Sequence, residues 1–392
     1  MARSKVLKKE KKDTNWIYGL KILAAFCVVL HHYALYFFPA FINGNAEASI
    51  IKGALEVKIA HTPFNIFSWG GNVCVSIFFI ISGFLIYYKF FYHKVDLEES
   101  LIKRYLRLSL PILFSSIIYF IILLVFLIKK DALICSNVLG KVGGYCKYEY
   151  SVFHLFWDSF FGYFIDGSTK ISPILWTMKW ELCGSFCTLL LSSILINSKH
   201  KKIIYLVVIL LLYQTLLLPF ILGMIICEIY LNNKYDKILS NKFLKFLLLI
   251  LGIYFSGFTF EAYTTKWYSF LKLNLRDSLA FYHSVGAFMI ILVITKSSIL
   301  KKLLSFNIYK KDTNLSFSIY LFHWLILNTF SMTMMNILLR SLNYKYSFII
   351  MFVVSFTIII LVSHFCGELV MKLTGETTNK IYNKFFNEKN KR

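Results

Sequence analysis

Long apolar runs separated by short basic gaps recur along the whole chain. A helix needs about 20 apolar residues to cross the hydrocarbon core of a bilayer. Read at that length, the pattern predicts ten membrane-spanning helices and therefore an all-α, polytopic membrane protein. The predicted segments are 16–38, 70–90, 108–128, 173–196, 202–217, 219–231, 243–260, 279–295, 315–338 and 347–371. The shorter aromatic stretch 152–165 is predicted to be interfacial or re-entrant.

Composition supports the membrane class. Of the 392 residues, 58% are hydrophobic and 16% are charged, whereas soluble domains are about 45–50% apolar and about 25% charged. A net charge of +23 can indicate nucleic-acid binding. Here the lysines cluster in the gaps between apolar runs, so the lipid bilayer is the expected partner and nucleic acid is not.

The basic gaps also predict orientation, because cytoplasmic loops of membrane proteins are rich in lysine and arginine. With a cytoplasmic N-terminus, most of the lysines and arginines fall in cytoplasmic segments, and ten crossings return the C-terminus to the same side. The predicted organisation is a basic cytoplasmic tail over 1–15, a transmembrane domain over 16–371 and a second basic cytoplasmic tail over 372–392.

Two kinds of ionisable residue lie in the first predicted span. They are Lys21 and the pair His31–His32. Inserting a charged side chain at the centre of a membrane helix costs roughly 2.5–3.5 kcal/mol of free energy, so these side chains are expected to face the bundle interior. At about 100° per residue, Lys21 and His32 share one helix face and lie roughly 16 Å apart along the axis. His31 points about 100° away from His32. The spacing therefore selects His32 as the partner of Lys21 in one site.

Arg104 and Arg107 lie three residues apart before the third span, so they share a helix face. They either anchor the helix at the inner surface, as basic residues commonly do, or form a fork for phosphate, which arginine binds through two hydrogen bonds. Glu181 lies about eight residues inside the fourth span, in its predicted outer half. A buried carboxylate without a partner is costly, so Glu181 is expected either to form an ion pair with another helix or to hold a proton.

The ninth span contains a polar stripe, because Ser316, Tyr320 and His323 recur at helical spacing. The stripe is either a hydrogen-bonded contact between helices or part of the same site. Trp176, at the start of the fourth span, is either a membrane-interface aromatic or a substrate contact.

The eight cysteines do not suggest a disulfide framework, since most lie within predicted helices. Cys135 and Cys146 share a predicted outside loop and could pair with each other. No cysteine and histidine spacing resembles a zinc site, and no metal is expected.

Taken in order, these residues resemble the motif series of the acyltransferase-3 family of integral membrane acyltransferases, over about 16 to 371. The family has an arginine where this chain has Lys21, which keeps the charge but loses the planar fork. The matching stretches are Lys21 with His32, Phe78–Leu85, Arg104 with Arg107 before Pro111, Trp176 with Glu181, Pro219–Met224, Ser318–Trp324 and Glu368.

The resemblance implies a multi-pass O-acetyltransferase of the cell membrane. The expected donor is cytoplasmic acetyl-CoA, and the expected acceptor is a hydroxyl of a surface polysaccharide, with a capsule as first choice, or of its lipid-linked sugar precursor. Richness in Lys, Ile, Asn and Phe indicates an AT-rich bacterial genome. The implied roles are catalytic for His32 and Glu181, acetyl-CoA binding for Lys21, Arg104 and Arg107, and substrate binding for Trp176, Tyr320 and His323.

Two mechanisms and two other functions stay open at this point. His32 either deprotonates the acceptor hydroxyl for direct transfer or takes the acyl group first as a nucleophile. A transporter or flippase for glycans or lipid intermediates would also place charged residues within a helix bundle. A scaffold or sensor would not need the intramembrane histidine and glutamate.

Overall fold

The structure is a computed structural model. It describes most of the chain, including all the segments predicted to span the membrane except the ends of some of them. The described residues are 11–50, 55–63, 65, 67, 70–127, 151–167, 172–259, 267–271, 278–306 and 314–384.

The described residues form helices and connecting turns, with no strand among them. Among the described residues, ten helices have at least twelve residues, and one lies in each of the ten predicted segments. In chain order they are α1 (Trp16–Phe37), α2 (Asn72–Tyr92), α3 (Leu97–Leu127), α4 (Thr177–Leu195), α5 (Lys201–Leu212), α6 (Leu218–Leu231), α7 (Lys242–Ser256), α8 (Ser278–Lys296), α9 (Leu315–Leu338) and α10 (Tyr344–Tyr382).

Six of these helices, α1, α2, α3, α8, α9 and α10, are long and apolar enough to cross a membrane. A seventh crossing is possible where Asn233–Leu239 and α7 meet at 87°. Within the described residues, α5 and α6 have only 12 and 14 residues, fewer than the about 20 that a crossing needs. The six long apolar helices make the chain a multi-pass membrane protein by length and composition. That the chain crosses ten times and has cytoplasmic termini stays a prediction.

Two helices extend beyond the predicted segments. α3 begins at Leu97, where Asp96 accepts a hydrogen bond from the Glu99 amide at 3.0 Å and so caps the helix. α10 has 39 residues, about 58 Å at 1.5 Å per residue. The predicted boundary at 371 therefore falls inside a continuous helix that reaches Tyr382.

The aromatic stretch 152–165 is helical and packs against α3. It consists of Val152–Trp157, a π-helical turn over Asp158–Gly162 and Tyr163–Ile165. The Tyr105 hydroxyl of α3 donates to the Phe160 carbonyl at 2.6 Å. That the stretch is interfacial or re-entrant stays a prediction.

α2 is central, and packs against α1, α4, α6 and α8. Its crossing with α6 is close because two glycines face backbone: a Cβ on Gly83 would lie 2.1 Å from the Phe220 carbonyl oxygen, and one on Gly223 would lie 2.0 Å from that of Ile80. Small residues permit such approach between membrane helices. The outer faces of α5, α7 and α10 expose large apolar side chains, as a lipid-facing surface does.

Candidate active site

A cavity of about 460 Å³ lies within the bundle, walled by α1, α2, α3, α4, α9 and α10. It brings together five of the eight predicted site residues, which come from four different helices. They are Lys21, Arg104, Arg107, Glu181 and Tyr320. Helices that are distant in sequence thus place the predicted charged residues around one space.

Arg104 and Glu181 form an ion pair in the cavity wall. Ser82 of α2 links them, because its hydroxyl accepts from Arg104 Nη2 at 2.7 Å and donates to Glu181 Oε1 at 2.8 Å. Arg104 Nε also donates to the Ser185 hydroxyl at 2.9 Å. Charge-assisted hydrogen bonds of this kind hold a guanidinium in one orientation. Of the alternatives that the sequence left open for Glu181, the structure shows the ion pair with another helix, since its partner Arg104 is on α3.

Lys21 and Arg107 supply the remaining positive charge of the cavity. Among the described residues, neither forms an ion pair. Lys21 is attracted by Glu181 and repelled by Arg104, and Arg107 is exposed. Three cationic side chains therefore line the cavity against one carboxylate, and that excess favours an anionic ligand.

Tyr320 joins α9 to the turn that begins α4. Its hydroxyl donates to the Ile174 carbonyl and shares a hydrogen bond of 2.6 Å with the Thr177 hydroxyl. The 3₁₀ turn Pro173–Trp176 is thereby held at the cavity wall. Trp176 itself is not among the residues that line the cavity; it packs against an apolar cluster that includes Phe220.

The predicted histidine His32 lies beside His323 of α9. Nδ1 of His32 is 3.0 Å from Nε2 of His323, and the two rings stack with centroids 5.1 Å apart. His323 is completely buried. His31 makes a separate contact, with its Nδ1 2.7 Å from the Phe67 carbonyl oxygen. The two adjacent histidines thus face different partners, as the helical spacing predicts.

The histidine pair and the cavity are neighbours along α9. Tyr320 lines the cavity and precedes His323 by three residues, with ring centroids 6.2 Å apart. His32 and His323 do not themselves line the cavity. The arrangement therefore places an imidazole pair one helical turn away from a space lined by cations.

Some cavity residues were not predicted from the sequence. Met371, Thr374 and Gly375 of α10 line the cavity, but two of them fall in the predicted tail 372–392. The sequence carried a signal, because Met371, Thr374 and Thr378 recur at helical spacing. The structure buries both threonines.

No group of three histidine, cysteine, aspartate or glutamate side chains that could hold a metal lies in the described part of the chain. Cys135 and Cys146, which could pair by sequence, lie outside the described residues.

Comparison with known proteins identifies the family. The family model described as an acyltransferase domain, that of the acyltransferase-3 family, matches residues 14–364. No curated protein and no solved structure matches the chain. The matched range includes Lys21, His32, the cavity residues of α2, α3 and α4, and the histidine pair. The chain therefore belongs to the acyltransferase-3 family of membrane acyltransferases.

Proposed function

We propose that the protein is an O-acetyltransferase that uses cytoplasmic acetyl-CoA as its donor. The acceptor is a hydroxyl of a cell-surface polysaccharide or of its lipid-linked precursor, and a capsular polysaccharide is our first choice. The observation that supports this most is the juxtaposition of a cation-lined cavity with a buried imidazole pair, inside the helix bundle of an acyltransferase. A multi-pass protein of a bacterial cell membrane would have cytoplasmic donor on one side and glycan acceptor on the other.

Acetyl-CoA suits the charge of the cavity because its phosphates are anionic. Arg107 is the exposed cation and Lys21 the less exposed one, and neither is engaged in an ion pair within the described residues. Both are available to phosphate oxygens, which lysine binds as a point charge and arginine through two hydrogen bonds. Arg104 is already held by Glu181, so we assign Glu181 the role of positioning Arg104 toward the donor.

His32 has the chemistry for proton transfer, because an ordinary imidazole titrates near neutral pH. In direct transfer, the acceptor oxygen attacks the thioester carbonyl carbon while its proton passes to His32. The carbon–sulfur bond then breaks, and the proton returns to the sulfur of CoA. In the second route His32 first takes the acetyl group and then yields it to the acceptor. Both routes need His32, and both end with the same products.

The proposal is tested by replacing His32 with alanine in the host. O-acetyl groups on the host's surface polysaccharides are measured by mass spectrometry, with and without the variant. The matched control is His31→Asn, which alters the adjacent histidine and keeps a donor near the Phe67 carbonyl. We expect acetylation to be lost in H32A and retained in H31N at equal membrane levels. Undiminished acetylation in H32A would overturn the assignment of His32.

A further inference from the structure

The hydrogen bonds of His323 determine which of its ring nitrogens is protonated. Nδ1 of His323 lies 2.8 Å from the Ile319 carbonyl oxygen. A carbonyl oxygen only accepts hydrogen bonds, so the proton must be on Nδ1 of His323. This contact lies within one turn of α9, and the helix backbone therefore sets the tautomer.

His323 is held in its neutral form. Its side chain is completely buried, and no carboxylate contacts it in the part of the chain that the structure describes. A buried charge without a partner is costly, so only one of the two nitrogens is protonated. With the proton on Nδ1, Nε2 of His323 has a free lone pair and accepts a hydrogen bond.

The tautomer of His32 follows from this acceptor. Nδ1 of His32 is 3.0 Å from Nε2 of His323, and two bare nitrogens cannot form a hydrogen bond. Nδ1 of His32 must therefore carry its proton and donate it. A neutral imidazole protonated on Nδ1 has its lone pair on Nε2. His32 is thus held with a basic Nε2.

We infer that His323 is a positioning residue that fixes His32 in the tautomer with a basic Nε2 and stabilises the imidazolium formed during transfer. This inference rests on the proposed function. As the acceptor O–H bond breaks, the proton passes to Nε2 of His32, while Nδ1–H keeps donating to His323. The proton leaves Nε2 again when the sulfur of CoA departs. A base oriented by a third group is a recurring device in acyl transfer.

A purely structural role for His323 makes a different prediction. The rings of His32 and His323 stack, and Trp324 also packs edge-on against His32, with centroids 5.2 Å apart. If His323 only filled space, a phenylalanine would replace it. If it accepts a hydrogen bond through Nε2, the replacement must place an acceptor at that point. Glutamine does so through its amide oxygen, whereas asparagine is too short.

The kinetic test compares His323→Phe, His323→Gln and His323→Asn, with Trp324→Phe as the matched control. Transfer of labelled acetyl from acetyl-CoA is measured in host membranes that contain the glycan acceptor. We expect kcat to fall about 10²–10⁴-fold in H323F and H323N, the range that general-base catalysis supplies. The KM for acetyl-CoA should stay within about twofold, and H323Q should recover most of the lost kcat. A wild-type kcat in H323F, or H323Q no better than H323F, would overturn the inference.

A second measurement reads the tautomer directly in the wild-type protein and needs no His323 variant. In the wild-type protein labelled with ¹⁵N-histidine, the His32 signals are assigned by their absence in H32A. We expect a protonated Nδ1 and an unprotonated Nε2 on His32; the opposite tautomer would contradict the inference. Absence of acetyl transfer by the folded wild-type protein would instead reject the proposed function, so the two failures are distinguishable.

Discussion

At the scale of the residue, the three cations that line the cavity differ in their partners. One is neutralised by an ion pair, and two are not, within the described residues. Glu181 and the hydroxyls of Ser82 and Ser185 accept hydrogen bonds from Nε and Nη2 of Arg104. Lys21 and Arg107 are without ion pairs in the described residues. The division indicates that Arg104 is held in place by the protein, while the other two cations are available to a ligand.

Arg107 is therefore expected to contribute to donor affinity. Replacing Arg107 with glutamine removes a charge at the exposed part of the cavity. A hydrogen bond to a charged group contributes about 1.5–3 kcal/mol, so we expect the Kd for acetyl-CoA to rise about 10- to 100-fold. Titration calorimetry of the purified protein measures this. Arg340→Gln, which changes an exposed arginine outside the cavity lining, is the control and should bind as wild type.

An unchanged Kd in R107Q would contradict this role. Arg107 would then be an anchor of α3 at the membrane surface, the alternative that its position in the sequence leaves open.

The spacing of residues along single helices predicted part of this site, but it could not predict contacts between helices. Helical geometry alone separates His31 from His32, and the structure gives them different partners. The partner of His32 was not predictable, because His323 lies 291 residues away in the chain. Arg104 and Glu181 are likewise 77 residues apart, and their pairing depends on how α3 packs against α4.

At the scale of the element, the close crossing of α2 and α6 fixes the position of the part of the cavity wall that α2 forms. Gly223 of α6 faces the backbone of α2, and Gly83 of α2 faces the backbone of α6. Ser82, which links Arg104 to Glu181, is the residue next to Gly83. Separating these helices would therefore displace part of the charged wall.

Gly223→Ala is expected to destabilise the protein. Its Cβ would lie 2.0 Å from a carbonyl oxygen of α2, so the two helices must move apart. Overpacking typically costs about 1–3 kcal/mol, and we expect a lower Tm in detergent. Gly375→Ala is the matched control, since nothing lies within 4 Å of a Cβ there. Equal Tm values for G223A and G375A would contradict the close-crossing account.

Hydrophobic patterning located the helices and misjudged some of their ends. α3 starts with a charged, capped turn, so apolar length alone begins that helix too late. α10 continues past 371 through polar residues, so apolar length alone ends that helix too early. The π-helical turn Leu327–Ser331 in α9 was also missed. There Ser331 is 2.7 Å from the Tyr33 hydroxyl and donates to Ser355 at 2.8 Å, contacts that depend on tertiary packing.

At the scale of the whole molecule, the number of crossings and the location of the termini constrain each other. An even number of crossings places both termini on one side, and an odd number places them on opposite sides. The six candidate spans agree with cytoplasmic termini, as ten would, whereas the bent pair at 87° counted as a seventh span would not. Apolar patterning could not decide this, because α5, α6 and α7 are shorter than a standard crossing.

Reporter fusions test the orientation. A fluorescent protein that matures only in the cytoplasm, and a phosphatase that is active only outside, are fused in turn to each terminus. Because the basic gaps are predicted to be cytoplasmic, we expect fluorescence and no phosphatase activity at both ends. Phosphatase activity at the C-terminus alone would indicate an odd number of crossings.

The cavity and the histidine pair together suggest how donor and acceptor meet within the bundle. The cations lie toward the start of α1 and α3, and His32 lies toward the end of α1. With the predicted orientation, the donor would enter from the cytoplasm, and the acceptor would reach His32 from the opposite side. A transporter would move its glycan through the bundle without any need for acetyl-CoA.

The most direct test is acetyl transfer by the purified protein in lipid vesicles. Acetyl-CoA labelled in its acetyl group is supplied together with the host's membrane glycan fraction, and label in the glycan is measured. We predict label in the glycan with wild type and none above background with H32A. Equal label with both proteins would overturn the role of His32. No label with wild type that is folded and binds acetyl-CoA would contradict the proposed acetyltransferase.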